Sequence, residues 1–142
     1  VSMRRSHFSC VQEAPMGDPE RRKRGVDMMK KVYAGDVVVP PEGASAFADV
    51  MLEQLFAEVW TREELPIRDR RLLIMGIIAE KGEPTTFGFQ ARAALKRGEL
   101  SPAQLRETLL MSAQYAGYPR AAALIGVVEK TIAEVEKERT GG

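Results

Sequence analysis

The most apolar part of the chain lies between residues 72 and 95. Nearly every residue from 72 to 79 is a large aliphatic one, which predicts a helix buried on several sides rather than along one stripe. Gly82 fits the left-handed position that ends such a helix. A second helix is predicted from about Pro84, with apolar residues recurring at spacings of three and four: Phe87, Ala91, Ala94 and Leu95.

Two further helices are predicted upstream. Asp18 followed by Pro19 is a helix start, with the aspartate as the cap and the proline in the first turn. The apolar face of this helix consists of Val26, Met29 and Tyr33, with Val32 at its edge. A loop over residues 35–43 leads to a helix over residues 44–60, whose apolar residues lie mostly on one side: Phe47, Val50, Met51, Leu55, Val59 and Trp60.

Two helices complete the chain. Ser101 and Gln104 have the spacing of a capping box, which starts a helix ending near Tyr115. Its inner side is predicted to hold Leu105, Leu109, Leu110, Ser112 and Ala113. The last helix runs from Arg120 to about Glu138. Six helices account for the pattern and no strand is required, so the fold class is all-α.

Composition and length then limit the domain organisation. A chain of 142 residues with a 44% hydrophobic share fits one domain, which we place at residues 18–139 after a flexible arm at residues 1–17. The only histidine and the only cysteine, His7 and Cys10, lie in this arm. There is no disulfide framework, no apolar run long enough to span a bilayer and no apolar signal core, so we expect a cytoplasmic protein without membrane contact.

A basic cluster at residues 21–24 is the strongest charge feature of a chain whose net charge is only +1. No aromatic or glycine-rich stacking residues accompany it, so a solvated face or a subunit contact is favoured over nucleic-acid binding. Nucleic-acid contact remains a lesser alternative, and the chain is predicted not to use a nucleic-acid partner.

Several segments together resemble the carboxymuconolactone decarboxylase family, which includes the AhpD-like alkylhydroperoxidases. These segments are FAEVWTR at 56–62, RDRRLL at 68–73, ARAAL at 91–95, LRETLL at 105–110 and YAGYP at 115–119. The resemblance covers about residues 21 to 134 and is closest to the decarboxylase branch. It implies an AhpD-like helical bundle that self-associates as a trimer or hexamer, with active sites near subunit interfaces.

The resemblance also shows what this chain lacks. The peroxidase branch carries two cysteines and a histidine where this chain has Glu83, Thr86 and Gln90, and its relay glutamate corresponds to Arg71. Thiol-based peroxide reduction requires a reactive thiolate and a resolving thiol, so the sequence argues against that activity. The histidines and glutamate of the decarboxylase branch correspond to Thr85, Thr86 and Gln90, which are poor proton donors at neutral pH.

The remaining polar residues supply the candidate site. Glu58 is the candidate catalytic acid–base group, since a carboxyl group in an apolar pocket can have its pKa raised; a salt bridge is the alternative. Arg62 is a candidate for binding a substrate carboxylate; the alternatives are that it caps a helix end or pairs with Glu58. The other candidate substrate-binding residues are Thr85, Thr86, Gln90 and Tyr115. For Tyr115, a buried hydroxyl bonded to the backbone is the alternative.

Two classes of function follow from these residues. The first is a divergent lyase or isomerase acting on a small carboxylated or lactone-like molecule. The second is a non-catalytic oligomer of the same fold that binds a small ligand or acts as a scaffold. No metal site and no cofactor are predicted, because the sequence has neither a histidine–cysteine cluster nor a phosphate-binding glycine loop.

Overall fold

The computed structural model describes residues 17–141. Over these residues the chain forms six helices and no strand, which confirms the all-α prediction. The helices are α1 (Pro19–Val32), α2 (Ala46–Val50, continuing as a π-helix over Met51–Val59), α3 (Ile67–Lys81), α4 (Pro84–Lys96), α5 (Pro102–Ala116) and α6 (Tyr118–Thr140). Most of the predicted arm, with His7 and Cys10, lies outside the described residues.

The predicted helix ends are confirmed where the sequence carries specific capping residues. The Asp18 carboxylate accepts from the backbone N–H of Glu20. Gly82 ends α3 in the left-handed conformation with φ at 65°. Ser101 and Gln104 form both hydrogen bonds of a capping box at the start of α5. These local signals predict helix ends well because each one satisfies backbone groups that the helix itself leaves unpaired.

The core is divided into two apolar clusters. Helices α3 to α6 form the larger one, centred on buried residues such as Met75, Phe87 and Leu124. The smaller one joins α1 to α2 through Met29, Val32, Leu52, Phe56 and Trp60, with Ile67 and Ile74 of α3 packed against it. The chain therefore consists of an N-terminal helix pair placed against a four-helix unit.

The N-terminal pair packs unusually closely at Gly25. A β-carbon at this position of α1 would lie 2.0 Å from the carbonyl oxygen of Leu52, so only glycine fits. The part of α2 that it contacts is π-helical, and the N–H of Trp60 bonds the carbonyl of Leu55 at 2.9 Å, five residues back. The backbones of α1 and α2 are thus in direct contact.

The predicted burial of α3 is wrong. Only one stripe is buried, Arg71, Met75 and Ala79, while Leu73 is 61% exposed and Ile77 is 51% exposed. Four helices surround the larger cluster, and α3 contributes only one side to it. The other side of α3 remains open in the single chain although it is apolar.

The predicted apolar face of α2 is right at Trp60, which is buried, and at Met51, which packs against the smaller cluster, but it is wrong at its other members. The buried residues are Ala48, Leu52, Phe56, Ala57 and Trp60, whereas Phe47 is 83% exposed and Val50, Leu55 and Val59 are exposed too. The buried stripe follows the contact with α1 at a spacing of four. Apolar residues occur on both sides of α2, so apolar content alone could not identify the packed side.

Two smaller predictions of burial differ from the structure as well. The sequence predicts Val32 at the edge of α1, but Val32 is completely buried because it packs in the smaller cluster with Met29 and Leu52. Leu110 was placed on the inner side of α5 but is exposed, while Leu105, Leu109 and Ala113 are buried as predicted. Among residues 17–141, no helix is both long and apolar enough to cross a membrane.

Candidate functional site

The most buried polar group of the described chain is the guanidinium of Arg71 on α3. It occupies the buried stripe with Met75 and Ala79 and is completely inaccessible to solvent. Its Nε donates to the carboxylate of Glu99 at 2.5 Å. A second nitrogen donates to the carbonyl oxygen of Val32. Arg71 therefore joins the end of α1 to the four-helix unit through charge-assisted hydrogen bonds.

Gln90 on α4 completes this cluster. Its Oε1 accepts from Nη1 of Arg71 at 2.7 Å, and its Nε2 donates to the hydroxyl of Tyr33 at 3.2 Å. Tyr33 also contacts Phe56 edge to face, with ring centroids 6.0 Å apart. Arg71 and Gln90, which the sequence resemblance aligns with catalytic groups, bond each other in this structure.

Two arginines share the carboxylate of Glu99. Arg97 donates to its Oε1 at 2.6 Å while Arg71 holds Oε2. Arg97 also donates to the carbonyl of Lys31 at the end of α1. The Glu99 side chain is only 7% exposed, so the cluster holds two cations and one anion in surroundings with little water.

A second polar junction lies at Asp36, in the loop after α1. Its carboxylate accepts from Lys96 at 2.8 Å and from Arg92 at 2.9 Å. Hydrogen bonding from Lys96 and then from Arg92 lowers the pKa of Asp36. Arg92 also donates to Glu138 on α6, and this bond raises the pKa of Arg92. The loop is thus tied to α4 and, through Arg92, to α6.

Glu58 lies at the surface, in the π-helical part of α2. Its carboxylate contacts Arg21 at 2.9 Å and Arg24 at 2.8 Å, and the side chain is 46% exposed. The apolar pocket expected around Glu58 is therefore not found in the single chain. The basic cluster of α1 forms ion pairs instead, since Arg22 also contacts Asp49 at 2.7 Å.

The other candidate residues are distributed over several surfaces. Arg62 is exposed, and its carbonyl accepts from Arg70 at 2.9 Å. Thr85 and Thr86 are exposed in the first turn of α4, where their backbone N–H groups donate to Glu83. Hydrogen bonding from Thr86 and then from Thr85 lowers the pKa of Glu83. The threonines therefore begin the same helix that carries Gln90 into the core.

Tyr115 is 86% exposed, so the alternative of a buried, backbone-bonded tyrosine is wrong. It lies in a groove between α3 and α5 with Gly76, Glu80 and Met111. Thr85 lines a different depression, between α4 and α6. The two candidates lie in separate grooves of the single chain, so a site that uses both would need more than one groove or a second copy.

An apolar groove separates α5 from α6. It has a volume of about 220 Å³ and is lined mainly by aliphatic residues and alanines, with Tyr118 on its wall. Arg106 and Glu129, paired at 2.7 Å, also line it. Within residues 17–141, no three His, Cys, Asp or Glu side chains are placed to hold a metal ion.

Four residues of the Arg71 cluster, Tyr33, Arg71, Arg97 and Glu99, are not among the site residues that the sequence predicts. The sequence predicts Tyr33 for an apolar face and gives Arg71 only as the counterpart of a family glutamate, and it indicates no site role for Glu99 or Arg97. The available signal was the spacing of four that puts a charged residue in line with Met75 and Ala79. A charge in that register requires a buried partner.

Comparisons with known proteins agree with this architecture. Residues 45–130, from the start of α2 into α6, match the model of the carboxymuconolactone decarboxylase family. A nitrosuccinic acid decarboxylase from Metarhizium robertsii is 30% identical over 84 residues, which are 59% of this chain. The aligned part spans 58% of the length of that relative. Because the family model covers more than half of the chain, the chain belongs to the carboxymuconolactone decarboxylase family.

Proposed function

We propose that this chain is a divergent lyase that decarboxylates a small acid whose own electron-withdrawing group accepts the electrons. The family match and the decarboxylase relative support a decarboxylase-like function at the general level. The observation that carries the narrower proposal is the surplus of arginines around Glu58. Arg21 and Arg24 share this one carboxylate, and Arg62 lies four residues further along the chain, just after the end of α2.

The reaction needs neither a thiol nor an external oxidant. The bond from the substrate carbon to its carboxylate breaks, carbon dioxide leaves, and the electron pair remains on the substrate. An adjacent nitro group or unsaturated lactone holds that pair as a nitronate or enolate. A proton from water then returns to the carbon. A site without histidine can perform this reaction if it binds the anion and stabilises the relocated charge.

Whether a bound cation accelerates the reaction depends on which group of the substrate it contacts. A guanidinium on the departing carboxylate stabilises the substrate, whereas one on the electron-accepting group stabilises the transition state. We therefore assign Arg62 to the accepting group or to a second carboxylate. The exposed apolar residues Leu55 and Val59 of the preceding helix α2 would surround the departing carboxylate.

Glu58 has a different role in this proposal from the one predicted from the sequence. A surface carboxylate between two arginines is suited to orient them, so we propose it as a positioning residue. Gln90 is proposed to support Arg71 rather than to contact substrate. Contacts of Thr85, Thr86 and Tyr115 with substrate remain predictions.

The test is direct decarboxylation of 4-carboxymuconolactone and of nitrosuccinic acid, followed by ultraviolet absorbance. Arg62→Ala is expected to lower kcat/KM about 100-fold, and Glu58→Gln about tenfold. Lys137→Ala and Glu136→Gln, two exposed charges on α6, are the matched controls and should behave like the unmodified protein. Turnover of either acid that is unchanged by Arg62→Ala would overturn the assignment of Arg62.

A non-catalytic binding function is the second candidate. It is favoured by the Arg71 cluster, where Glu99, Gln90 and the Val32 carbonyl already occupy the guanidinium. The apolar groove between α5 and α6 would then bind a small apolar molecule. Calorimetric titration of the protein with naphthalene tests whether the groove binds such a molecule. Ala122→Leu should abolish binding because Ala122 lines the groove, whereas the neighbouring Ala123→Leu should not.

A further inference from the structure

Arg70, near the start of α3, is bonded to the loop that carries Arg62. This loop (residues 60–66) joins α2 to α3. Nε of Arg70 donates to the carbonyl oxygen of Leu65 at 3.1 Å, and Nη2 donates to the carbonyl oxygen of Arg62 at 2.9 Å. Because the donors of a guanidinium have a fixed planar arrangement, the two bonds also hold these carbonyls relative to each other. One side chain thus binds both ends of the segment 62–65.

The loop has few other contacts that hold its backbone. At its start, the N–H of Arg62 donates to the carbonyl of Val59 at 3.2 Å. Residues 62–66 are all exposed. Among the described residues, no side chain other than Arg70 donates to a carbonyl of this segment. Exposed backbone with few bonds opens more readily than packed backbone, so the position of the segment depends mainly on Arg70.

The start of α3 does not hold the loop by capping. The cap residue is Pro66, and no side-chain hydrogen bond caps the first turn. A side chain inside the helix instead reaches back to the carbonyls of the loop. The backbone N–H of Arg70 bonds the carbonyl of Pro66 at 3.1 Å, and this bond does not involve the Arg70 side chain. Shortening that side chain should therefore loosen the loop without unwinding α3.

The neighbouring arginines of α3 have different partners. Nε of Arg68 donates to the backbone carbonyl of Glu99 at 2.9 Å, and Arg71 bonds the Glu99 carboxylate. Both therefore bind the turn before α5, whereas Arg70 binds the loop before α3. Arg68→Met removes a guanidinium that bonds a carbonyl from the same end of the same helix, which makes it the matched control for Arg70→Met.

The backbone of Arg62 is the main fixed point of that residue. Its side chain is exposed, and among the described residues it forms no ion pair. Glu58, four residues earlier, is bonded by two arginines of α1 instead. The guanidinium of Arg62 can therefore reach only the positions that the loop allows.

We propose that Arg70 is a positioning residue that holds Arg62 where it can contact the substrate. This inference rests on the function proposed above, in which Arg62 binds the electron-accepting group or a second carboxylate. Arg70 does not touch the substrate and acts through the two carbonyls. A displaced guanidinium stabilises the transition state less. Because Arg62 is assigned to the group that gains charge, the loss should fall on kcat more than on KM.

Kinetics with 4-carboxymuconolactone and nitrosuccinic acid give the first test. Arg70→Met should lower kcat about tenfold with a smaller change in KM, whereas Arg68→Met should leave both unchanged. Arg70→Lys keeps the charge but cannot bridge two carbonyls in the same way, so it should not restore kcat. Full activity of Arg70→Lys would overturn the proposal, because charge alone would then be sufficient.

A double variant shows whether Arg70 acts through Arg62. Once Arg62→Ala has been made, Arg70→Met should lower kcat no further, because the group that it positions is gone. Circular dichroism of each variant shows whether the helices are retained. Losses that multiply in a folded double variant would overturn the proposal, since the two residues would then act independently.

The hold on the loop can be measured without any turnover. In a Cys10→Ser background, a nitroxide attached to Glu63→Cys reports the motion of the loop by electron paramagnetic resonance. The spectrum should narrow in Arg70→Met and stay unchanged in Arg68→Met. An unchanged spectrum in Arg70→Met would overturn the inference even if the acids are turned over. A narrowed spectrum together with no turnover of either acid by the unmodified protein would refute the proposed function, and with it the role of Arg70 in catalysis, but not its hold on the loop.

Discussion

Arg71 donates to Gln90 at 2.7 Å between α3 and α4, and both side chains are closed to solvent. The amide nitrogen of Gln90 donates in turn to the hydroxyl of Tyr33, which belongs to the N-terminal helix pair. Two polar side chains that the sequence resemblance aligns with catalytic groups thus bond each other inside the fold. The consequence is a fold whose two parts depend on buried polar contacts.

Arg71→Met should lower the free energy of unfolding by about 3–5 kcal/mol, because the buried Glu99 carboxylate keeps only Arg97 as a partner while the Val32 carbonyl and the Gln90 amide oxygen lose theirs. Urea denaturation followed by circular dichroism measures this change. Arg106→Met, which breaks an exposed pair with Glu129, should have little effect. Equal losses in the two variants would show that burial of the Arg71 pair does not set its contribution.

Gln90→Leu should destabilise more than Tyr33→Phe. The leucine variant leaves an N–H of Arg71 unpaired in the core, at a cost of about 2–3 kcal/mol, whereas loss of the Tyr33 hydroxyl removes one hydrogen bond of about 1 kcal/mol. Paired urea titrations give both values. If Tyr33→Phe lowered the free energy of unfolding more than Gln90→Leu, the bond to Tyr33 would contribute more than the bond to Arg71.

Gly25→Ala should destabilise the chain by about 1–3 kcal/mol or more, since the new methyl group would meet the carbonyl of Leu52. Gly126→Ala is the matched control within a helix. No atom outside its own helix lies within 4 Å of the added carbon, so alanine should stabilise by about 0.5–1 kcal/mol. Thermal unfolding should therefore shift in opposite directions. A shift in the same direction for both would contradict the close contact at Gly25.

The hydrogen bonds of Asp36 to Lys96 and Arg92 make the stability of the fold depend on pH. Because folding lowers the pKa of Asp36 below its ordinary value of 3.8, its contribution is complete above that pH and is lost as the pH falls further. Asp36→Asn should therefore be less stable than the unmodified protein at pH 7, and the difference should shrink below about pH 4.

Urea denaturation at a series of pH values measures this dependence. In a Lys96→Met background, which removes the first partner of Asp36, the pH-dependent part should be smaller. A stability difference that stays constant from pH 7 to pH 3 would show that the bonds to Asp36 do not change its titration.

The sequence predicts helix ends better than helix faces in this chain. Asp18, Gly82 and Ser101 each act on backbone groups a few residues away, so their effect does not depend on distant packing. The faces of α2 and α3 depend on which neighbours cover them. Both helices carry more apolar residues than one chain can bury. Periodicity alone therefore assigned most of the exposed apolar residues of α2 to its packed face.

The candidate site was harder to predict because its members are distant in sequence. Arg71, Gln90 and Glu99 come together only when α3, α4 and the turn before α5 are packed. Glu58 was expected in an apolar pocket because it lies among apolar residues. The basic residues of α1 that pair with it could be read from the sequence, but their contact with α2 could not.

The two apolar clusters are each built from helices that follow one another in the chain, whereas the bonds between them join distant residues. Arg71 reaches Val32 across 39 positions, and Arg97 reaches Lys31 across 66. Closing such long loops costs more entropy than closing short ones. We therefore expect the helix pair and the four-helix unit to form first during folding, and the polar bonds that unite them to form last.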